Sequence, residues 1–199
     1  TDRGFDSAVA CQQVLGGHGY IRDHGIEQIV RNARIGQLYE GANGIQATDL
    51  VHRKLAARGG RPQRAFVDAV AGFVARHADD AGLAEFVTPV AQGLERLRVS
   101  LQWIGEQAGD PAAVAARVNA AAYDLLSAMG ILYLGWTWAE IAAVLREPGA
   151  CHWIDEARCE QKRALARVWM TRQMPLIDSH CRRIESGNEG LLALPDEWI

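Results

Sequence analysis

The helical architecture is decided by residues 83–104, whose sequence is LAEFVTPVAQGLERLRVSLQWI. Apolar side chains recur here at alternating steps of four and three residues, which places them on one stripe of a helix. They are Leu83, Val87, Val90, Leu94, Leu97, Leu101 and Ile104. The spacing predicts an amphipathic helix from about residue 82 to residue 107. Because no strand-like alternation is sustained elsewhere in the chain, the fold class predicted is all-α.

Three further segments carry a helical pattern. Asp110 followed by Pro111 predicts a helix start, since Asp caps an N-terminus and Pro fits the first helical position. A shorter helix is predicted over about 63–77, and a long one over about 155–186 with a kink at Pro175. The expected core stripes of the three are Val114, Val118, Ala122, Leu125, Met129, Leu132 and Trp136, then Phe66, Val70, Phe73 and His77, then Leu165, Val168, Leu176, His180 and Ile184. Four helices joined by short loops predict an antiparallel helix bundle.

A cluster of helix breakers divides the chain. Arg58-Gly59-Gly60-Arg61-Pro62 predicts a linker over residues 58–62. Residues 1–57 then form one part, and residues 63–199 form the bundle.

Composition excludes several classes of function. The 199 residues include 21 Lys+Arg and 24 Asp+Glu, a net charge of −3, so nucleic-acid binding is not expected as the main role. The longest charge-free apolar stretch runs from Leu125 to Ala139 and is shorter than the roughly 20 residues that span a bilayer. We therefore expect a buried helix there and no membrane span.

The four cysteines, Cys11, Cys151, Cys159 and Cys181, form no C-x-x-C pair. We expect reduced, buried thiols and a cytoplasmic protein. Cys151 and His152 with Cys159 are conceivable metal ligands, but they lack a fourth partner, so no metal is predicted. His77 and His180 are expected to be packed or rim histidines rather than ligands.

Residues 1–57 differ from the bundle in their glycine content. A helix ending near Leu15 runs into Gly16-Gly17-x-Gly19, where missing side chains let backbone amides approach a ligand. A glycine C-cap and turn explains the same residues equally well.

Charged residues in this part also have two interpretations. A short helix over 26–35 places Arg31 and Arg34 on one face, either solvated or salt-bridged. Glu40 follows in a glycine-flanked turn that leads into a helix from Gly44 to Leu55. Its carboxylate is either solvated or held over a ligand, and periodicity does not decide between these.

The complete string of motifs resembles one known family. The residues are Gln13-Val14-Leu15-Gly16-Gly17-x-Gly19-Tyr20, Glu27, Arg31-x-Ala33-Arg34-Ile35 and Tyr39-Glu40-Gly41-x-x-x-Ile45-Gln46. In order and spacing they resemble the C-terminal helical domain of the acyl-CoA dehydrogenases. Asn43-Gly44-Ile45-Gln46-Ala47-x-Asp49-Leu50 and the added helical domain resemble the 3-methylmercaptopropionyl-CoA dehydrogenase branch. The resemblance thus implies a partial C-terminal domain of this type followed by a second antiparallel helix bundle.

The resemblance also implies roles for individual residues. Glu40 is the expected base that removes the α-proton of an acyl-CoA thioester, and Gly41 is expected to contact the substrate through its main chain. FAD is the implied cofactor, and the implied partners are further copies of the chain and an electron-transfer flavoprotein. The implied FAD contacts are Gln13, Val14, Leu15, Gly16 and Gly17, across a subunit interface, and Ala42, Asn43 and Gly44.

Three positions depart from the pattern of the family. It usually has Thr where Ala42 stands, which removes one hydroxyl contact to the cofactor, and often Asp where Asn32 stands. The branch usually has Gly where His52 stands.

Family members carry two further domains upstream, so we expect this chain to be part of an enzyme that is not active alone. The alternative is a non-catalytic interaction module or partner subunit, docking through Leu191-Leu192-Ala193-Leu194 and Trp198-Ile199.

Overall fold

The computed structural model describes residues 1–147, 149 and 154–198. All regular structure in these residues is helical, which confirms the predicted all-α class. The chain divides into two compact units, residues 1–49 and residues 50–199. This division by contacts falls after Asp49, whereas the sequence pattern predicts that the first part ends at residue 57.

The first unit is built from three α-helices and two short 3₁₀ turns. The helices are α1 (Asp2–Val14), α2 (Ile26–Ile35) and α3 (Ala42–Asp49), and α1 packs against α2. Its hydrophobic interior is small, since Ala8 and Ala47 are its buried apolar side chains in the structure. Large apolar side chains remain in solvent, among them Val14 at 87% and Tyr20 at 82% exposure. So small a core gives this unit little hydrophobic stabilisation of its own.

The second unit is a helix bundle that starts with a π-helical turn, Leu50–Leu55. The helices that follow are α4 (Ala57–His77), α5 (Ala84–Gly105), α6 (Pro111–Val144), α7 (Glu156–Arg172), α8 (Leu176–Glu185) and α9 (Glu189–Leu192). Helix α6 packs against α5, α7 and α8, and α4 packs against α5.

Helix α4 is broken near its start by backbone geometry. Arg58, Gly59 and Gly60 have φ of 51°, 63° and 80°, the left-handed region that a helix cannot include. This break lies inside the predicted 58–62 linker. The domain limits 1–57 and 63–199 themselves stay a prediction.

The core of the bundle follows the predicted stripes on α4, α5 and α6. Val90, Leu97, Leu125 and Leu132 are fully buried, and so are Val70 and Phe73 on α4. The start of α6 also matches the sequence pattern, because the Asp110 carboxylate accepts a hydrogen bond from the Ala113 amide at 3.1 Å and Pro111 is the first helical residue.

Two expectations for the later helices are wrong. Pro175 separates α7 from α8 rather than kinking one continuous helix, because it lacks an N–H and the chain restarts at Leu176. Leu165 and Val168 are consequently 54% and 56% exposed rather than in the core.

The thiols also differ from the expectation. Cys159 is buried in a disulfide, Cys11 is free but exposed on α1, and Cys181 is free and buried. Of the three cysteines in the described residues, Cys181 is the reduced, buried thiol that was expected, and Cys151 lies outside those residues. Burial raises the pKa of Cys181, which makes it a poor nucleophile.

Helix α6 is long and apolar enough to cross a membrane, judged by length and composition alone. The expected absence of a membrane span therefore stays a prediction. Within the unit, α6 has the burial of a core helix on one side, while Tyr133, Leu134 and Val144 are exposed on the other.

A charged cluster joins α5 to α8. The Arg96 guanidinium donates to both carboxylate oxygens of Glu185, at 2.5 and 2.7 Å, and to Asp178 at 3.1 Å. Ser100, fully buried, donates to Glu185 at 2.7 Å. The hydrogen bond from Arg96, helped by that from Ser100, holds the pKa of Glu185 below its usual range.

This cluster predicts a defined pH dependence of stability. A carboxylate whose pKa is lowered by folding stabilises the protein above its unfolded pKa of about 4.3, and that contribution is lost as pH falls through the lower folded value. We expect Glu185→Gln to lower the urea midpoint at pH 7 and to reduce the further loss between about pH 4.5 and 3. An unchanged acid slope in the variant would contradict this role of Glu185.

Candidate functional site

Glu40 lies in the turn between α2 and α3, exposed to solvent. It is the first of three consecutive residues in the left-handed backbone region, with φ of 55° for Glu40, 93° for Gly41 and 49° for Ala42. This conformation costs a non-glycine residue on the order of 1 kcal/mol or more, and such strain clusters at functional sites. The turn therefore needs support from its surroundings.

One support comes from α3. The Gln46 side-chain amide donates a hydrogen bond of 2.8 Å to the backbone carbonyl of Glu40. A Cβ on Gly41 would lie 3.3 Å from the Gln46 amide nitrogen and 3.4 Å from Ile45, so the position has little room in addition to its positive φ. Glycine at 41 thus fits the turn for two independent reasons.

A second support comes from the start of α1. One carboxylate oxygen of Asp2 accepts hydrogen bonds of 2.6 Å from the side-chain amides of both Gln37 and Asn43. The Thr1 hydroxyl donates to the side-chain oxygen of Asn43 at 2.8 Å, and Arg34 donates to that of Gln37 at 2.7 Å. Asn43 therefore uses its side chain within the protein, so any cofactor contact it makes is through its backbone.

The glycine-rich turn lies at the other end of α1. The helix ends at Val14 and Gly16 adopts a φ of 56°, the left-handed conformation of a helix C-terminus. A Cβ on Gly16 or Gly17 would meet nothing within 4 Å, so the backbone of both residues is open on that side. Gln13, Val14 and Leu15 are exposed beside them.

Gly19 has a different role from Gly16 and Gly17. Its carbonyl accepts a hydrogen bond of 3.1 Å from the Gln12 side chain, and a Cβ at this position would clash with the backbone carbonyl of Gln12. Gly19 is thus the glycine that the close return of the chain onto α1 requires.

We therefore expect Gly19→Ala to open this turn, at a cost of roughly 1–3 kcal/mol as in other overpacked sites. The amide of Tyr20, which donates to the carbonyl of Gly17 at 3.2 Å, should then exchange with deuterium about 10- to 100-fold faster. Gly17→Ala is the matched control and should leave that rate unchanged. Equal exchange in both variants would show that the clash is relieved elsewhere.

The predicted site residues form two groups rather than one. Glu40, Gly41, Ala42, Asn43 and Gly44 are contiguous and lie at the Asp2 end of α1, whereas Gln13–Gly17 lie at its far end. A helix from Asp2 to Val14 is about 18 Å long. Groups this far apart can reach the same ligand only if that ligand is extended.

An open groove of about 1010 Å³ lies within the first unit. It is lined by Phe5, Gln12, Tyr20, Arg22, Glu27, Val30, Arg31, Arg34, Ile35 and Leu38. Arg31 donates to Gln28 at 2.6 Å, and the Arg34 guanidinium also lies 5.8 Å from the centre of the Phe5 ring. The two interpretations of this helix face are a solvated one and a salt-bridged one. These hydrogen bonds to side-chain amides favour the solvated interpretation. Glu40 does not line the groove.

Across the described residues, no group of three or more His, Cys, Asp or Glu side chains could hold a metal ion. Cys151 and His152, considered with Cys159 as conceivable ligands, lie outside those residues.

His52, a departure from the branch pattern, has a structural partner. Its ring nitrogen lies 2.6 Å from the side-chain oxygen of Asn119 on α6. His180 is paired in the same way with Asp124 at 2.7 Å, which agrees with a packed histidine.

Comparison with known families assigns the chain. Residues 66–195 match the family described as "Acetyl-CoA dehydrogenase C-terminal like", and residues 1–55 match "Acyl-CoA dehydrogenase, C-terminal domain". Both families describe the C-terminal part of such dehydrogenases, and the second match includes Glu40. The chain belongs to the acyl-CoA dehydrogenase family.

Two individual relatives are similar to this chain over most of its length. The chain is 30% identical to 3-methylmercaptopropionyl-CoA dehydrogenase of Ruegeria pomeroyi, over 96% of this chain and 32% of the relative. It is 31% identical to the broad-specificity linear acyl-CoA dehydrogenase FadE5 of Mycobacterium tuberculosis, over 92% of this chain and 31% of the relative. The chain therefore spans about a third of the length of these curated relatives.

Two residues that support the Glu40 turn have no role assigned to them in the sequence prediction. Gln46 is part of the motif string but carries no assigned role there, and Asp2 precedes the motif altogether. No periodicity or spacing marks Asp2, because its partners lie 35 and 41 positions away.

Proposed function

We propose that this chain is the C-terminal part of an FAD-dependent acyl-CoA dehydrogenase in which Glu40 is the base. The observation that carries the proposal is the Glu40 turn. A carboxylate lies in solvent on a left-handed backbone that Gln46 and Asp2 hold in place. A strained but supported turn that presents an acidic side chain is typical of a functional group.

The reaction removes two hydrogens from adjacent carbons. The Glu40 carboxylate takes the α-proton, the β-carbon loses a hydride, and the two electrons of the α C–H bond form the new double bond. FAD, when bound, supplies the acceptor for the hydride. Gly41 contributes a main-chain contact to the substrate. The product is the α,β-unsaturated acyl-CoA, with the proton held on Glu40.

The residues present fit a flavin nucleotide in part. Gly16 and Gly17 offer open backbone and Gly44 has no neighbour within 4 Å of an added Cβ, so a bound group can approach all three. Gln13, Val14 and Leu15 are exposed beside the first two, and Ala42 and Asn43 precede the third. Ala42 cannot supply the hydroxyl that the family usually has there.

The separation of the two groups supports a shared site. Because Gln13–Gly17 and Glu40–Gly44 lie at opposite ends of α1, we propose that each FAD is contacted by the two groups from different copies of the protein. Exposed Val14 and Tyr20 supply apolar surface for such contacts. We further propose a cytoplasmic enzyme that passes its electrons to an electron-transfer flavoprotein.

A second candidate function is a non-catalytic interaction module. It is favoured by the exposure of Leu194 and Trp198, at 44% and 74%, near the end of the described residues. Ile199, part of the same predicted tail, lies outside them.

The test compares the native protein that contains this sequence with the 199-residue chain. We expect the native protein to purify with a flavin absorbance that acyl-CoA bleaches without oxygen, and the chain alone to show no dehydrogenation. A native protein that binds no FAD in any oligomeric state would overturn the proposal and favour the interaction module.

A further inference from the structure

The turn that carries Glu40 is closed by a single oxygen atom. Gln37 lies three residues before Glu40 and Asn43 lies three residues after it, and both side-chain amides donate to the same Asp2 oxygen at 2.6 Å. All three side chains are half-buried. Hydrogen bonds to a carboxylate are stronger than those between neutral groups, and partial burial protects them from solvent. Asp2 therefore ties together the two ends of a seven-residue segment.

The backbone inside this segment would relax if its ends were free. Glu40 and Ala42 have φ of 55° and 49°, a region that L-residues with a side chain seldom occupy. Gln46 fixes only the Glu40 carbonyl. With the ends released, the turn can return to ordinary backbone angles, and the direction of the Glu40 side chain changes with them.

We propose that Asp2 is a positioning residue for the reaction, holding the Glu40 carboxylate in its orientation by bridging Gln37 and Asn43. The inference rests on the proposed role of Glu40 as the base. Asp2 itself contacts neither the α-proton nor the substrate, and it acts by holding the turn.

This role predicts a particular kinetic signature. A misplacement of about 1 Å at a reacting group can slow the chemical step by roughly 100-fold. Loss of the Asp2 oxygen should therefore lower kcat, while KM and flavin content, which depend on other contacts, stay near their original values. Proton removal should become more rate-limiting, so the isotope effect of an α-deuterated acyl-CoA should increase.

The experiment uses the flavin-loaded native protein with three variants. Asp2→Ala removes the acceptor oxygen and should lower kcat about 10- to 100-fold. Asp2→Asn keeps an oxygen in the same place and should restore kcat to within about 3-fold, since the geometry rather than the charge positions the turn. Asp6→Ala, the same residue type one turn later on α1 and exposed, is the matched control and should leave kcat and the isotope effect unchanged.

The outcomes separate the two proposals. If Glu40→Gln is inactive but Asp2→Ala equals Asp6→Ala in kcat and isotope effect, the positioning role of Asp2 is overturned. Glu40 then remains the base. Full turnover by Glu40→Gln overturns both. Should Asp2→Ala yield no folded holoenzyme, Gln37→Leu decides, since it removes one of the two donors. Gln37→Leu should lower kcat and raise the isotope effect, as expected for Asp2→Ala. An unchanged isotope effect in Gln37→Leu rejects the proposal.

Discussion

Glu40→Gln in the flavin-loaded native protein should retain its flavin and lose acyl-CoA dehydrogenation by roughly 100- to 10,000-fold, the usual contribution of a general base. Glutamine keeps the size and hydrogen-bonding shape of the side chain but cannot accept the α-proton. Because the side chain of Glu40 is exposed and has no partner in the fold among the described residues, the substitution should leave the turn intact. The measurement is steady-state turnover together with the flavin spectrum of each variant.

Two companion variants make this result specific. Glu27→Gln changes a glutamate of the same unit that lines the groove rather than the Glu40 turn, and it should keep turnover within about 2-fold. Glu40→Asp keeps the carboxylate but withdraws it by one methylene, so an intermediate loss of about 10- to 100-fold is expected. Turnover by Glu40→Gln within tenfold of the original protein would assign the base to another residue.

The bundle could be predicted because the sequence patterns that specify its helices are local. The 4,3 spacing from Leu83 to Leu101 describes one face of one helix, and those side chains are the ones the structure buries. The Asp110–Pro111 start is equally local, since the capping carboxylate and its amide partner are three residues apart. Such patterns need no knowledge of the neighbouring helices.

The expectations that failed depend on contacts between distant residues or on a change of register. A stripe drawn from Leu165 to Ile184 crosses Pro175, where the helix stops and restarts, so its first members fall on the wrong face. Disulfide formation by Cys159 depends on which residues meet in space, and spacing along the sequence does not show that.

The candidate site shows the same difference between local patterns, which could be predicted, and long-range contacts, which could not. The motif string placed Glu40 in a glycine-flanked turn between two helices, and the structure has that turn. The left-handed angles at Glu40 and Ala42 could not be predicted, because neither residue type favours them. The two ends of the turn are joined by Asp2, a residue more than thirty positions away from both. Local sequence thus predicts the turn and its carboxylate, and long-range hydrogen bonds join the two ends of the turn.

A large effect on stability is expected at Leu132 of α6. This side chain is fully buried where α6 packs against its neighbours, whereas Leu134, two residues later, is 41% exposed. Leu132→Ala removes the buried methyl groups and leaves a cavity, which costs roughly 2–5 kcal/mol. Leu134→Ala should cost less than about 1 kcal/mol in water. All six tryptophans of this sequence lie after residue 100, so urea unfolding of the 199-residue chain, followed by tryptophan fluorescence, reports on the second unit.

The pair of variants also tests what surrounds α6. Composition alone permits this helix to cross a membrane. In hydrocarbon, every face of the helix would be surrounded by apolar groups. A bundle in water instead predicts a large difference between Leu132→Ala and Leu134→Ala, because only one of the two side chains has left water. Measured in the native protein, a cost at Leu134 that approaches the cost at Leu132 would mean that another apolar surface covers this face of α6. The contrast between two leucines on one helix therefore distinguishes a bundle open to solvent from one whose outer face is buried.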